Sequence, residues 1–214
     1  FHKTFTGLAL KIPGFPKNTT SFILPQSTAK RRCRELGTLL LGHCIFATHT
    51  KLFIMQIRVG QGIDFHQLVE GRDFWLGGVL VPHHKGALGH SDADVLLHAI
   101  CDAMLGAACL GDIGLHFPDT DMAYKNADSK ILLKKCNELV QAEGYSLINI
   151  DSTICLQLPK IKPYVPQMQQ VIANIVSLTV KDVSIKATTT EKMGFVGREE
   201  GIVAYASILL QKQG

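Results

Sequence analysis

Asp64, His66 and His98 are the residues whose types and spacing suggest chemistry first. Asp64 and His66 stand two apart in Gly60-Gln61-Gly62-Ile63-Asp64-Phe65-His66, and residues i and i+2 of a β-strand point to the same face. A carboxylate and an imidazole would therefore stand side by side at a strand end. His98 falls inside an apolar helical stretch, where a ring that can carry charge needs a reason to be. One carboxylate and two imidazoles with a free fourth position make the ligand set of an open Zn²⁺ site. The same spacing is also met by a strand-end Asp, a surface His and an unrelated His satisfied in the core. On the helix, Asp94, His98 and Asp102 recur at i, i+4 and i+8, which places them on nearly one face. Acids beside a ligand His would fix its tautomer and raise its basicity, so Asp94 and Asp102 are expected in that role.

Three further stretches carry polar chemistry. Lys186-Ala187-Thr188-Thr189-Thr190-Glu191 ends a strand in hydroxyls and an acid, suited to phosphate oxygens and to a Mg²⁺ held through one carboxylate. By itself it reads equally as a Thr-rich strand edge closing in a turn. Leu158-Pro159-Lys160-Ile161-Lys162-Pro163 is a loop whose Lys160 is placed for a phosphate or simply for solvent. Gly194-Phe195-Val196-Gly197-Arg198 is a turn that displays Phe195 and Arg198. The Gly-x-Gly at positions 60 and 62 lacks the third glycine and the following helix of a dinucleotide fingerprint, and neither a Walker loop nor a Gly-x-Ser-x-Gly elbow occurs.

The elements that must position these residues read as follows. Residues 56–64 form a strand. Residues 74–82 form a hairpin turning at Gly77-Gly78, and 83–89 a loop. A long helix runs from about 93 to 108, capped by Ser91 or Asp92. A second helix spans 129–143 behind Asp128, and a third runs from Pro163 to about 178. Strands cover 149–158, 183–187 and 201–210. The order is not strictly βαβα, so the expected fold is an α/β two-layer sandwich: a mixed β-sheet with helices on one face. The other face needs a cover, for which a second copy of the chain is the natural choice.

The formal charge of +4 is unevenly spread. Residues 1–54 hold eight Lys and Arg against the single Glu35, a net +7, so residues 55–214 carry −3. A mildly acidic body argues against a general nucleic-acid surface. No apolar run reaches the length of a membrane span. None of the six cysteines forms a CxxC pair, which fits small buried hydrophobes in a reducing compartment. Residues 1–54 are basic, acid-poor and without sustained period, and are expected to be poorly ordered. They read either as a targeting peptide or as residues from upstream of a true start at Met55, with the second favoured; the domain proper is then 55–214.

Taken together, Arg58-Val59-Gly60 through Asp64-Phe65-His66, Gly89-His90-Ser91-Asp92-Ala93-Asp94, Gly111-Asp112-Ile113-Gly114, Phe117-Pro118-Asp119-Thr120, Lys186 through Glu191, and Gly194-Phe195-Val196-Gly197-Arg198 closely resemble the 2-C-methyl-D-erythritol 2,4-cyclodiphosphate synthases of the non-mevalonate isoprenoid pathway. The likeness runs from about Met55 to Gln211. It implies a homotrimer with active sites between subunits and a lyase that releases CMP from a cytidyl diphosphate substrate. Zn²⁺ would sit on Asp64, His66 and His98, and Mg²⁺ or Mn²⁺ on the diphosphate through Glu191. His90 and Ser91 would contact phosphate, with His90 and Thr189 taking part in the reaction. Asp112 and Gly114 would meet the erythritol part of the substrate, and Asp119 would also bind substrate. Pro159, Lys160, Ala187, Thr188 and Thr189 would hold the nucleotide, with Leu156 where the family has Ala. Phe195 and Arg198 would lie near the trimer axis. The resemblance implies a bacterial cytoplasmic enzyme, or a plastid one if residues 1–54 are a transit peptide. The competing readings are a non-catalytic isoprenoid- or nucleotide-binding trimer and a zinc-dependent phosphoester hydrolase.

Overall fold

The computed structural model describes residues 56–118 and 127–213. The expectations for residues 1–54 and for Asp119 lie outside the described residues. Five strands form one mixed sheet: β1 (Ile57–Glu70), β4 (Lys85–Leu88), β5 (Tyr145–Cys155), β6 (Val183–Thr188) and β7 (Gly201–Lys212), in the order β4-β1-β7-β5-β6. Only the β5–β6 pair is parallel; α4 (Val165–Val176) lies between them in sequence and supplies the crossover. A separate hairpin, β2 (Trp75–Leu76) and β3 (Val79–Leu80), turns at Gly77 and Gly78. Both have positive φ, 60° and 74°, as a two-residue hairpin turn demands. The helices α1 (Val95–Ala108), α3 (Ser129–Ala142) and α4 pack on one side, with α1 lying directly on β1 and β7. The expected sheet with helices on one face is therefore what the chain forms.

Glycine lets α1 lie so close. On β1, Gly60, Gly62, Asp64 and His66 share one face. A Cβ at Gly60 would stand 1.9 Å from the Ala103 carbonyl oxygen, and one at Gly62 would stand 2.0 Å from that of Ala99. The helix answers with its own small residues, Ala99, Ala103 and Ala107, all buried. The Gly-x-Gly is thus a seat for a helix backbone, and that seat brings His98 over Asp64 and His66.

Two expectations need correcting. The first strand runs on to Glu70, so Asp64 and His66 stand in mid-strand. Residues 67–70 contain no turn residue, and they pair with β4, whose residues 85–88 were expected as loop. The turns at 113–116 and 194–197 close as single helical turns, α2 (Ile113–His116) and α5 (Gly194–Gly197).

Candidate metal centre

Three atoms converge between β1 and α1. His66 Nε2 lies 3.0 Å and His98 Nδ1 3.1 Å from Asp64 Oδ2, and the two ring nitrogens are 3.2 Å apart. The other nitrogen of each ring decides its tautomer. His66 Nδ1 is 2.8 Å from the Leu88 carbonyl oxygen, which only accepts, so Nδ1 carries the proton and Nε2 presents its lone pair inward. His98 Nε2 lies 2.9 Å from Ser129 Oγ and 3.2 Å from Ser91 Oγ. With both imidazoles neutral, three lone-pair donors face one another with no proton between them, an arrangement that calls for a cation. A tetrahedral ion with ligands at about 2.0–2.1 Å has donor–donor edges of roughly 3.3 Å, close to the triangle present. The side chains fit a zinc-type ion, with one vertex left open.

Without such an ion a proton takes its place. Burial works against both charges. Hydrogen bonds and charge from His66 and His98 nevertheless hold the Asp64 carboxyl well below the usual carboxylate range. Burial also opposes the His66 proton, but the Asp64 carboxylate prevails and raises the His66 pKa above its ordinary 6.5. In the metal-free chain this proton contributes stability that is complete below 6.5 and is lost as pH rises through the raised value. An ion must displace that proton. Affinity for a divalent ion is therefore expected to fall as pH is lowered through the raised His66 value, with a proton released on binding below that value and none well above it. Competition titrations against a chromophoric chelator between pH 8 and 6 measure this, and a flat profile would refute it.

The expected carboxylate neighbours of His98 are not there. Asp94 is fully buried and turned into the core, where it accepts from the Gly77, Gly78 and Leu97 amides at 2.9, 2.6 and 3.1 Å. It caps α1 and pins the β2–β3 turn, and burial pushes its pKa up. Asp102 accepts from the Ile113 amide at 2.8 Å and so fixes the start of α2 against α1; burial raises its pKa as well. The ring's partners are instead Ser91 and Ser129, the latter 31 residues away on α3. Sequence spacing carried no sign of Ser129, because helical periodicity is silent on what another element brings to a face. Ala93 between them is left-handed at φ 56°, and its two neighbours meet different elements: Asp94 the β2–β3 turn, Asp92 the start of α3.

His90 is exposed just before that loop, and Ser91 is nearly buried beside His98. Asp112 is exposed and caps α2 through the Leu115 amide at 3.0 Å, with Gly114 exposed beside it. A separate cleft of about 170 Å³ gathers Leu156, Pro159, Lys160, Ala187, Thr188 and Thr189. The Leu156 amide donates to the Thr188 carbonyl at 3.0 Å and ties its two walls. Thr189 Oγ1 donates to Glu191 Oε1 at 2.8 Å, and Glu191 and Lys192 both hold positive φ, 51° and 66°. Such outliers persist only where their surroundings enforce them, often at binding sites. Phe195 faces Phe65 with ring centroids 6.3 Å apart, and Arg198 pairs with Glu200 at 2.8 and 2.9 Å.

Within one chain the cleft and the triad are apart. Phe65, Val203, Cys155 and Thr188 lie in one row across β1, β7, β5 and β6. Three interstrand steps of about 4.8 Å put Thr188 roughly 14 Å from Phe65.

Comparison with known proteins agrees with this geometry. The YgbB family model matches residues 57–211. The chain is 63% identical over 158 residues to 2-C-methyl-D-erythritol 2,4-cyclodiphosphate synthase of Bacteroides fragilis, which takes in 74% of this chain and 99% of that protein. It is 60% identical over 156 residues to the Geobacillus synthase, covering 73% and 99%. Among solved structures, a 2C-methyl-D-erythritol-2,4-cyclodiphosphate synthase in a CDP-bound form superposes with a TM-score of 0.67 at 36% identity, over 72% of this chain and 99% of that one. The bifunctional IspDF of Campylobacter jejuni superposes at 0.72 with 46% identity, over 74% of this chain and 43% of that longer one. The chain belongs to the YgbB family, that of the 2-C-methyl-D-erythritol 2,4-cyclodiphosphate synthases.

Proposed function

We propose that the Asp64–His66–His98 centre is where this chain carries out its family's reaction. In that reaction 4-diphosphocytidyl-2-C-methyl-D-erythritol 2-phosphate becomes 2-C-methyl-D-erythritol 2,4-cyclodiphosphate, CMP leaves, and the protein acts as a phosphorus–oxygen lyase of the non-mevalonate isoprenoid pathway. The observation that carries the proposal is the closed triangle of three lone-pair donors, with tautomers set from behind. The 2-phosphate attacks the β-phosphorus within one molecule, so no side-chain nucleophile is needed. What the protein must supply is alignment of two anionic groups and relief of their repulsion. A zinc ion on the triad would supply Lewis-acid neutralisation at a phosphate oxygen. His90 and Ser91, in the loop before α1, would bind phosphate oxygens. Asp112 and Gly114 would meet the erythritol hydroxyls, and Asp119 would also bind substrate. Pro159, Lys160, Ala187, Thr188 and Thr189 would hold the cytidyl group in their cleft, and Thr189 would orient Glu191 toward a Mg²⁺ or Mn²⁺ on the diphosphate.

Nucleotide cleft and triad would meet in a homotrimer, each active site taking its cleft from one subunit and its triad from the next. The sheet face away from the helices supports this. Ile57, Val59, Ile63, Phe65 and Tyr205 are exposed there, Val59 by 73%, and Ile63 pairs with Tyr205 in register. An apolar sheet face of that kind is an interface in want of a partner. Phe195, beside Phe65, and Arg198 would then lie near the axis. Residues 55–214 would form the synthase domain, with 1–54 accessory to it. Among the described residues no helix is long and apolar enough to cross a membrane. The bacterial relatives support action in a bacterial cytoplasm over import into a plastid, and sequencing the native protein's N-terminus decides between them.

Incubation with the cytidyl substrate and divalent ions is expected to release CMP and the cyclic diphosphate in equal amounts. No CMP with the metal filled, or a linear product formed from water, would overturn the proposal. Glu191→Gln keeps the shape and removes the charge. It is expected to lower turnover about tenfold or more, since one carboxylate on a bound Mg²⁺ commonly contributes more than the 1.36 kcal/mol that a factor of ten represents. It should shift the Mg²⁺ concentration giving half-maximal rate upward while zinc content stays unchanged. An unaltered Mg²⁺ dependence would remove Glu191 from this role.

A further inference from the structure

Behind His98 lies an arrangement that the metal triad alone does not account for. Ser129, fully buried at the first turn of α3, has its Oγ 2.9 Å from His98 Nε2. Its own hydroxyl proton goes to Asp92 Oδ1 at 2.5 Å. The same carboxylate accepts the Ser129 amide on Oδ2 at 3.0 Å and the Asp94 amide on Oδ1 at 3.3 Å. The Asp92 amide in turn donates to the Ala127 carbonyl at 3.1 Å. Asp92 thus clamps the start of α3 to the loop that precedes α1, and Ser129 stands between that carboxylate and the ring.

We propose that Asp92 and Ser129 are positioning residues that act through His98: they commit its Nε2 to donation, so that Nδ1 is always the nitrogen offered to the metal. This rests on the reading that the triad holds an ion. The argument is one of donor counting. An ionised carboxylate can only accept, so the Ser129 hydroxyl must donate to it, and its remaining capacity toward the ring is as an acceptor. The chain of hydrogen bonds therefore runs one way, from Nε2–H to hydroxyl to carboxylate. Ser91 cannot impose this direction. It lies farther from Nε2, at 3.2 Å, it accepts from the Ala93 amide, and among the described residues no carboxylate holds its proton. The negative end of the relay also raises the basicity of Nδ1 as a ligand. Because Ser129 arrives from α3, the ligand on α1 is set by the packing of two helices and not by its own helix alone.

Three variants test the assignment: Ser129→Ala, Ser129→Thr and Asp92→Asn. Zn²⁺ affinity is measured by chelator competition and ligand geometry by the visible spectrum of the Co²⁺-loaded protein. Ser129→Ala and Asp92→Asn are expected to lose about 10- to 100-fold in affinity, as removal of groups that orient a metal ligand does, and to alter the Co²⁺ bands. Turnover should fall through kcat more than through KM. Ser129→Thr, which keeps the hydroxyl, should recover most of both. Nitrogen-15 shifts of the metal-free protein at alkaline pH read the tautomer directly: His98 should be Nε2-protonated in the wild type and mixed in Ser129→Ala. Ser129→Ala with wild-type affinity, Co²⁺ spectrum and tautomer overturns the proposal, even if its thermal stability drops. A wild-type chain that binds neither Zn²⁺ nor Co²⁺ would overturn the metal reading instead, and the nitrogen-15 shifts would still decide whether the relay sets the ring.

Discussion

His98→Ala is expected to abolish cyclodiphosphate formation while the chain stays folded. The ring provides one of three donors in a triangle 3.0–3.2 Å on a side, and the remaining Asp64–His66 pair is a poor site for an ion in water. Changes that only disturb the orientation of a metal ligand cost about 10- to 100-fold in affinity, so loss of the ligand itself should exceed that. Metal-borne charge stabilisation of a phosphoryl transition state is worth several kcal/mol, which corresponds to a fall in rate of about 10³-fold or more. Stability should change far less. The His98 side chain borders the site and not the sealed core, and Ser91 and Ser129 can turn to water entering the space. Zinc content, CMP release and the circular-dichroism spectrum of the purified variant check all three parts. Turnover within tenfold of wild type would remove the triad from the reaction.

Gly62→Ala is expected to be among the most disruptive small substitutions in the domain. The added methyl would stand 2.0 Å from the Ala99 carbonyl oxygen and 2.6 Å from the Ala103 amide nitrogen, both rigid helix backbone. No rotamer relieves such a contact, so α1 must lift from the sheet or β1 must bend away. Overpacking a core commonly costs about 1–3 kcal/mol, and a clash with backbone belongs at or beyond the upper end. The loss should reach function too, because Ala99 adjoins His98 and any lift of α1 withdraws the ring from Asp64 and His66. Denaturant unfolding and Zn²⁺ affinity, measured together, should fall together. Gly106→Ala supplies the control. Gly106 lies in the same helix with open space around its Cβ position, so the same change should stabilise by about 0.5–1 kcal/mol through helix propensity. Gly62→Ala with wild-type stability would show that α1 does not sit on β1 as described.

The Gly62 contact also explains why a motif that resembles the start of a phosphate-binding loop does something else here. Two glycines are followed directly by the two ligands on one face of β1, so the residues that admit the helix and the residues that need it stand in succession along one strand. The positive φ at Gly77 and Gly78 acts at a distance in a similar way. It forms the turn whose amides hold the Asp94 carboxylate, and Asp94 in turn starts the helix that carries His98.

Much of the site was open to reading from order and spacing alone. The alternation of strand side chains put Asp64 and His66 together, and the apolar helix around His98 marked that ring as out of place. The Gly-Gly turn, the cap at Asp128 and the chain of family motifs are local, so neighbouring residues suffice to reveal them; the cap of α1, expected at Ser91 or Asp92, is instead Asp94, because the left-handed Ala93 delays the start of the helix. Tertiary structure alone decided the rest. Helical spacing nominated Asp94 and Asp102 as partners for His98, yet the core claimed one for a cap and α2 claimed the other, while Ser129 came from a helix 31 residues on. Strand β1 outran its expected end because its extension pairs with β4, a partner no local pattern announces. Periodicity fixes which residues share a face; which other element comes to rest on that face is settled by packing between segments distant in the chain.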